Sequence, residues 1–497
     1  MAAVGIASRQ KSSSTAGGPT DRPKPTDSTR YLCAAVYFDR KFRNRVIREI
    51  VDEEQRAIGT SPGLDLVMVV EHALAVSRRK FRRDIWLALL LFVVLVLGAF
   101  AAARFVLVVA ALTAFAIVLA DRWNDLQILA RSLTKGRVAV HAPGFRPTPH
   151  QAEKLRQLDL AQQGNVVVYS GYSPFVGSGY QVSGWSLAVN LSRGAEHLGV
   201  TSDPQAFEVG EVYDFVNAAL RELGFIGLAL EDKLFVNGQE IRDDRIFLPD
   251  PHTRPIHELE ASLIRAFLEN PTQSIRHYKT VRVVSWKGEL VLSVFLRFTR
   301  IGPSLFVEAS CFLLPPLKEK YHKVDSLQPT LTLRNRLDVI QRSLLATPLL
   351  FLGSWFRLLG RAYQPILRRQ ARQATRAAIR ENFMFDYGCA ESLREAASST
   401  AFRQYFQFLD KEMYLKAIER QILDALVEFL KSKNIDTSDL KASQQTILNT
   451  GVVVSGGSVT AENLSVGAGA RVTQAVTRAA AGFALGGAPA SAPSTKK

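Results

Sequence analysis

The sequence predicts a membrane-anchored α+β protein: a two-helix transmembrane hairpin, a cytoplasmic α+β domain with antiparallel strands, a C-terminal helical region and a short β-rich tail. Three observations predict it. Between Ile85 and Ala120 the only charged residue is Arg104. From about residue 145, helical periodicities alternate irregularly with β-rich runs, the pattern of an α+β domain and not of a βαβ wind. After Thr446 the chain alternates Val and Leu with Ser, Gly and Thr, then dissolves into Ala, Gly and Pro.

The hairpin follows from length. The apolar stretch holds 36 residues, which as one helix would run about 54 Å at roughly 1.5 Å per residue. A bilayer's hydrocarbon core is about 30 Å thick, so two short helices joined between Gly98 and Arg104 fit better. Ile85–Phe100 carries twelve Leu, Ile, Val or Phe residues and Phe105–Ala120 carries ten. At about −0.3 to −0.6 kcal/mol each, both segments are expected to insert. Arg104 at mid-bilayer would cost about 2.5–3.5 kcal/mol, which places it at the far turn. The basic flanks Arg78–Arg83 and Arg122–Arg137 put both termini in the cytoplasm of a cell-membrane protein, with Trp86 and Trp123 at the inner boundary.

Composition agrees with this setting. The net charge of +16 calls for an anionic neighbour, and the arginines lie beside apolar segments, which favours an anionic inner leaflet over a nucleic-acid groove. Three scattered cysteines, Cys33, Cys311 and Cys389, exclude a disulfide framework or a CxxC metal site and fit reducing surroundings. Residues 1–30 lack an apolar run, which excludes an ordinary secretory signal, and read as a disordered N-terminus.

Residues 31–84 form a juxtamembrane helical module on the cytoplasmic side, with an amphipathic helix over Tyr31–Arg56 broken by Ser61-Pro62-Gly63. The hairpin occupies 85–120, and the cytoplasmic α+β domain 145–330. Within it, NVVVYS (165–170), WSLAVNL (185–191) and Leu228–Val236 read as strands, and the face Val212, Phe215, Val216, Ala219, Leu220 and Leu223 as a helix. His277–Trp286, Glu289–Arg300 and Ser304–Leu314 form an antiparallel meander. Residues 340–382 read as interfacial basic amphipathic helices. Their apolar run LLATPLLFLGSWFRLLG is too broken by Pro348 and Arg357 for a plain span. A helical region follows over 383–445, then a β-rich Gly/Val/Ser motif (446–472) and a disordered tail (473–497).

Two groups of residues are site candidates. The glycine-rich loop offers Gly171, Ser173, Gly177, Ser178 and Gly179 to an anionic ligand, because closely spaced glycines let backbone amides approach an anion. It lacks the Gly-Lys-Ser/Thr ending of a P-loop and does not match GxGxxG, so a structural loop packed through Tyr172, Phe175 and Tyr180 stands beside the ligand reading. The membrane-surface set is Arg79, Arg82, Arg83, Arg104, Arg357, Arg361, Arg368, Arg369, Arg372 and Arg376. His252 and His257 in DPHTRPIHELE read as a surface loop, with no third histidine for a metal site. No GxSxG, HExxH, kinase or Walker pattern occurs. No catalytic residue, metal or cofactor is assigned.

VVVYSGYSPFVGSG with GWSLAVNL, FDYGCAESLRE, and IDTSDLKASQQTILNTGVVVSGGSV resemble stretches of uncharacterised integral membrane proteins of actinomycete bacteria. The resemblance spans most of the chain from Tyr31 and implies no activity. The tail also resembles amyloid-type signalling motifs of some bacterial immune proteins. Three functions stay open: a non-enzymatic interaction or signalling scaffold held at the inner leaflet, a membrane-associated enzyme using the 171–184 loop on an anionic lipid or nucleotide, and an immune-type protein assembling through its C-terminal β motif. Homo-oligomers through 402–430 or 446–472 are the expected protein partners.

Overall fold

Among the described residues eight strands are laid down in chain order: β1 (Val166–Tyr169), β2 (Tyr180–Asn190), β3 (Glu196–His197), β4 (Val200–Thr201), β5 (Leu228–Asn237), β6 (Ile275–Ser285), β7 (Leu290–Ile301) and β8 (Ser304–Leu314). Six of them form one sheet in the order β1-β5-β6-β7-β8-β2, while β3 and β4 pair apart. The computed structural model describes residues 25–97, 103–135, 141–197, 200–327, 332–381 and 385–448. β5 to β8 and β2 are antiparallel, and β6-β7-β8 is the meander expected from the sequence. β1 pairs parallel with β5, so the sheet is mixed and not wholly antiparallel. The correction has a local cause: α6 (Val209–Arg221) lies between β1 and β5 in the chain and leaves room for a crossover that a hairpin turn would not allow.

Alternation places the sheet's two cores. Val166, Val168, Leu234 and Val236 point to one face with Phe247, Ile264 and Tyr387, where α7 (Ala261–Glu269) covers them. Val167 and Phe235 point to the other, against Tyr278, Phe295 and Phe312.

The helices before the sheet build a third core. They are α1 (Asp27–Phe38), α2 (Arg40–Val46), α3 (Leu66–Leu97), α4 (Ala103–Ser132) and α5 (Pro149–Gln163). Helix α1 starts inside the stretch assigned to a disordered N-terminus. Thr26 Oγ1 accepts from the Thr29 amide at 3.2 Å and donates to the Gly63 carbonyl at 2.6 Å, which ties the cap to the following loop. Leu32, Val36, Met68, Val69 and Val76 meet Leu129 of α4, Leu133 just beyond its end, Leu158 of α5, and Tyr321. The 31–84 segment is therefore not a separate module but part of one body with the chain that follows. Helix α3 runs unbroken from this core into the apolar stretch.

His72 of α3 lies wholly within this core, its Nδ1 at 2.9 Å from the Tyr37 hydroxyl. Burial, with Arg79 adding to it, pushes the imidazole down to about 4. In the unfolded chain the ring takes up a proton below about 6.5, whereas the folded ring stays neutral to about 4, so stability falls as pH drops through that window. Between pH 7 and pH 5 the loss is about 2 kcal/mol at about 1.4 kcal/mol per unit. Thermal melts of the detergent-purified chain check this. The His72→Gln variant should lose most of the decline over that interval, and an equal decline in both proteins would refute it.

After the sheet come α8 (Leu333–Leu352), α9 (Ser354–Arg380), α10 (Leu393–Ala396) and α11 (Tyr405–Ser432). The C-terminal half of α11 is buried through Ile418, Ile422, Leu426 and Leu430, with Phe429 edge-on to Phe207 at 5.1 Å. Its N-terminal half leaves Tyr405, Phe406 and Met413 exposed. Residues 438–497 form a second unit, in which α12 (Ser438–Leu448) is described. The 446–472 motif beyond Leu448 and the 473–497 tail lie outside the described residues, as does most of 1–30.

Candidate membrane interface

An exposed apolar surface begins where α3 leaves the core. Ile85, Trp86, Leu89, Phe92, Val93 and Leu95 of α3 are exposed, as are Phe105, Leu107, Val108, Val109 and Leu112 of α4. The two helices run antiparallel, with Leu87 packed against Ala114 and Val118. Among the described residues α4 alone, over Arg104–Ser132, is long and apolar enough to cross a membrane by itself. Only 17% of its apolar window is buried, unlike a core helix. Charges at its base keep α3 from passing the same test, so two full spans are not supported as such. The segment joining the two helices, residues 98–102, lies outside the described residues, and Arg104 is exposed beside it.

Helices α8 and α9 add an elbow to this surface. They bend by 62° about Gly353, and together they too are long and apolar enough for one broken span. Leu344, Leu345, Leu349, Leu352, Phe356 and Leu359 are exposed around the bend. Leu350 and Phe351 pack near Leu87 and Leu90. Leu97 lies ten residues further along α3, or about 15 Å at roughly 1.5 Å per residue. The elbow therefore stands beside the base of the helix pair and not beside its tip. Exposed apolar side chains gathered on neighbouring helices in this way mark an interaction surface.

A buried charge cluster closes the base. Positions 79, 80, 83 and 84 share one face of α3, and 121 and 125 share one face of α4. Lys80 Nζ lies 2.7 Å from Asp121 and Arg83 3.1 Å from the same carboxylate, while Arg79 is 3.1 Å from Asp125. Asp84, fully buried, receives Arg83 at 2.8 Å, Arg357 at 3.3 Å and Arg361 at 3.7 Å. Arg357 also donates to the Leu350 carbonyl, and Arg361 lies over the Phe81 ring.

The membrane-surface arginines thus divide. Arg79, Arg83, Arg357 and Arg361 turn inward to this cluster. Arg368 and Arg372 pair with Asp52 and Glu54 on the body at 2.9 and 2.8 Å. Arg82, Arg104, Arg369 and Arg376 are exposed. Sequence reasoning counted the cations of RRKFRRD and DRWND and passed over Asp84, Asp121 and Asp125, although acids at helical spacing among those cations were the available signal.

The glycine-rich loop crosses the sheet from β1 on one edge to β2 on the other. Phe175 stacks on Phe295 at 4.1 Å and meets Phe235 and Tyr278 edge-on, while Tyr172 is exposed. Gly177 and Gly179 have positive φ and touch the Thr60 and Leu313 backbones, where no Cβ fits. Their amides both donate to Glu395 Oε1, at 2.8 and 2.9 Å. Glu395 Oε2 accepts from the Ser392 amide, completing a capping box at α10. The loop's anion is the chain's own carboxylate. Ser178 is buried, its amide bonded to the Phe175 carbonyl, and Gly171 is exposed. Glu395→Ala would strand three amides, those of Gly177, Gly179 and Ser392, and is expected to cost about 3 kcal/mol or more, since each unsatisfied buried donor costs about 1–3 kcal/mol. Hydrogen exchange at Gly177 and Gly179 checks it. Protection equal to that of the parent would refute the assignment.

His252 sits in a turn, its amide bonded to Asp250 Oδ1, and His257 lies in the irregular segment that follows, its carbonyl accepting from the Val166 amide. Among the described residues no group of three or more His, Cys, Asp or Glu side chains is placed to hold a metal.

No curated protein and no solved structure matches the chain. A family does match, the AbeC-like domain, over residues 184–460. That stretch starts within β2, takes in the elbow and reaches past α12, and leaves the α3–α4 pair outside. The resemblance seen in the sequence therefore narrows to family membership, since the match carries neither an organism group nor a membrane. With more than half of its 497 residues matched, the chain belongs to the AbeC-like domain family.

Proposed function

We propose that this chain is an integral membrane protein of the cell membrane, with both termini cytoplasmic, and that it acts as a non-enzymatic interaction or signalling scaffold held at the inner leaflet. The observation that carries the reading is the exposed apolar surface of α3, α4, α8 and α9, bounded at one end by the charge cluster. Buried in hydrocarbon, that surface gains about 25 cal/mol per Å². Exposed to water, it would drive aggregation. The antiparallel helix pair returns both of its ends to the same body, which fits the positive-inside bias. The elbow's level at the base of the pair supports an interfacial position for it. A scaffold is favoured over an enzyme because Glu395 occupies the two loop amides that would otherwise hold an anionic substrate.

Carbonate extraction of membranes from cells producing the full chain tests the anchor. The protein should stay in the pellet, and its release would overturn the reading. Labelling intact cells with an impermeant maleimide tests direction. A cysteine placed by Arg104→Cys should react from outside and one placed by Lys41→Cys should not, whereas the reverse pattern would invert the topology.

A further inference from the structure

The charge cluster is not balanced. Around Asp84, Asp121 and Asp125 stand Arg79, Lys80, Arg83, Arg357 and Arg361, a surplus of two positive charges within the ion-paired set. Arg43 and Arg40 add to it from α2. Arg43 is buried, and Val36 O is the acceptor for its Nη1 at 3.0 Å. Arg40 is exposed. Burial pushes both Arg43 and Arg361 down; Asp125 opposes this at Arg43 and Asp84 at Arg361, while Arg40 and Arg83 press on each of them and Arg361 presses on Arg43. Arg361 Nη1 is buried and has no hydrogen-bond partner. Cations in excess of the carboxylates that pair them repel one another unless a further anion joins them.

The position of the surplus says which anion. Asp84 immediately precedes Ile85, where the exposed apolar surface starts, the exposed Phe81 ring lies under Arg361, and Phe38, two residues before Arg40, is exposed as well. An anion there has apolar surface on one side and solvent on the other. We infer that Arg40, Arg43 and Arg361 form a binding site for the phosphate of an acidic phospholipid, whose acyl chains lie along α3. The inference rests on the membrane reading above and sharpens it, from a diffuse attraction to an anionic leaflet to one site with named donors. A free phosphate shares the head group's chemistry, but it would not use the flanking aromatic and apolar surface. Arg369 and Arg376, exposed on α9, supply the comparison.

The full chain, purified in a neutral detergent, is titrated with short-chain phosphatidylglycerol, with the matching phosphatidylcholine and with inorganic phosphate, and binding is read by native mass spectrometry. Phosphatidylglycerol should bind most tightly. Arg40→Gln should weaken it about fivefold, since one basic residue near a lipid surface contributes about 1 kcal/mol. Arg369→Gln and Arg376→Gln should each change it less than twofold. Arg361→Gln should match Arg40→Gln, and because Arg40 is on the surface, its variant remains informative even where Arg361→Gln misfolds. Equal loss in all four variants would overturn the site in favour of diffuse attraction. Phosphate binding as tightly as phosphatidylglycerol would overturn the lipid, and equal affinity for phosphatidylcholine would overturn the role of charge. None of these results depends on carbonate extraction, so failure of the site and failure of the anchor read out separately.

Discussion

Replacing Asp84 by Asn is expected to destabilise the chain by about 3–5 kcal/mol and to loosen α9 from α3, because removing one partner of a buried ion pair leaves the other uncompensated. Three guanidiniums, those of Arg83, Arg357 and Arg361, converge on this carboxylate, and it has no exposure of its own. Asn keeps the size and one acceptor oxygen but none of the charge. The loss should appear first at the elbow, since Arg357 and Arg361 are its tethers to α3, while Arg83 keeps Asp121. Hydrogen exchange of the amides of residues 354–361 in detergent measures this directly. Faster exchange there, with the sheet unchanged, is the expected pattern. Exchange as slow as in the parent would show that the elbow is held by apolar packing alone. A double change, Asp84→Leu with Arg361→Leu, should recover part of the loss, because apolar replacement of both partners removes the unpaired charge.

Arg394→Met is expected to cost a similar amount, about 3–5 kcal/mol, for a different reason. Arg394 is fully buried. Its Nη2 donates to the carbonyls of Glu289 and Pro315, both at 2.9 Å, and its Nη1 donates to Ser398 Oγ at 2.9 Å. One guanidinium thus joins the β6–β7 turn, the end of β8 and α10. In that turn Trp286 and Lys287 both have positive φ, a strained arrangement for side-chain-bearing residues. Burial lowers the guanidinium to about 10, so it stays charged at neutral pH. Met fills the volume but leaves the carbonyls without a donor. Arg394→Lys should rescue little, because a point-like ammonium cannot span a fork that reaches two separate backbone segments and the Ser398 hydroxyl at once. Chemical denaturation of the purified chain compares the three proteins. Full rescue by Lys would refute the fork argument.

What the sequence discloses here follows the range of the interaction. The meander over β6 to β8 was legible because its signals are local: runs rich in β-branched and aromatic residues and turn residues at Lys287-Gly288 and Gly302-Pro303. The apolar stretch was legible for the same reason, being a run of adjacent residues. The junction of β1 with β5 was not, since parallel pairing brings together strands with no hairpin between them. Nor was the role of the glycine-rich loop. Its amides meet a carboxylate 218 residues away, and nothing around Gly177 marks Glu395 as the partner. For the charge cluster, the sequence showed the cations and their flanking position, but their partners Asp84, Asp121 and Asp125 become meaningful only when α3 and α4 lie side by side.

Helix α3 has no break between Leu66, deep in the helical core, and Leu97, far into the apolar surface. At roughly 1.5 Å per residue its 32 residues make a rod about 48 Å long, with a fulcrum at the ion pairs around Lys80. A tilt imposed on the apolar arm by a thicker or thinner bilayer must swing the other arm through the packing of Met68, Val69 and His72. In the proposed anchor the rod would convert a change in lipid thickness into torque on the core, without any ligand entering the body.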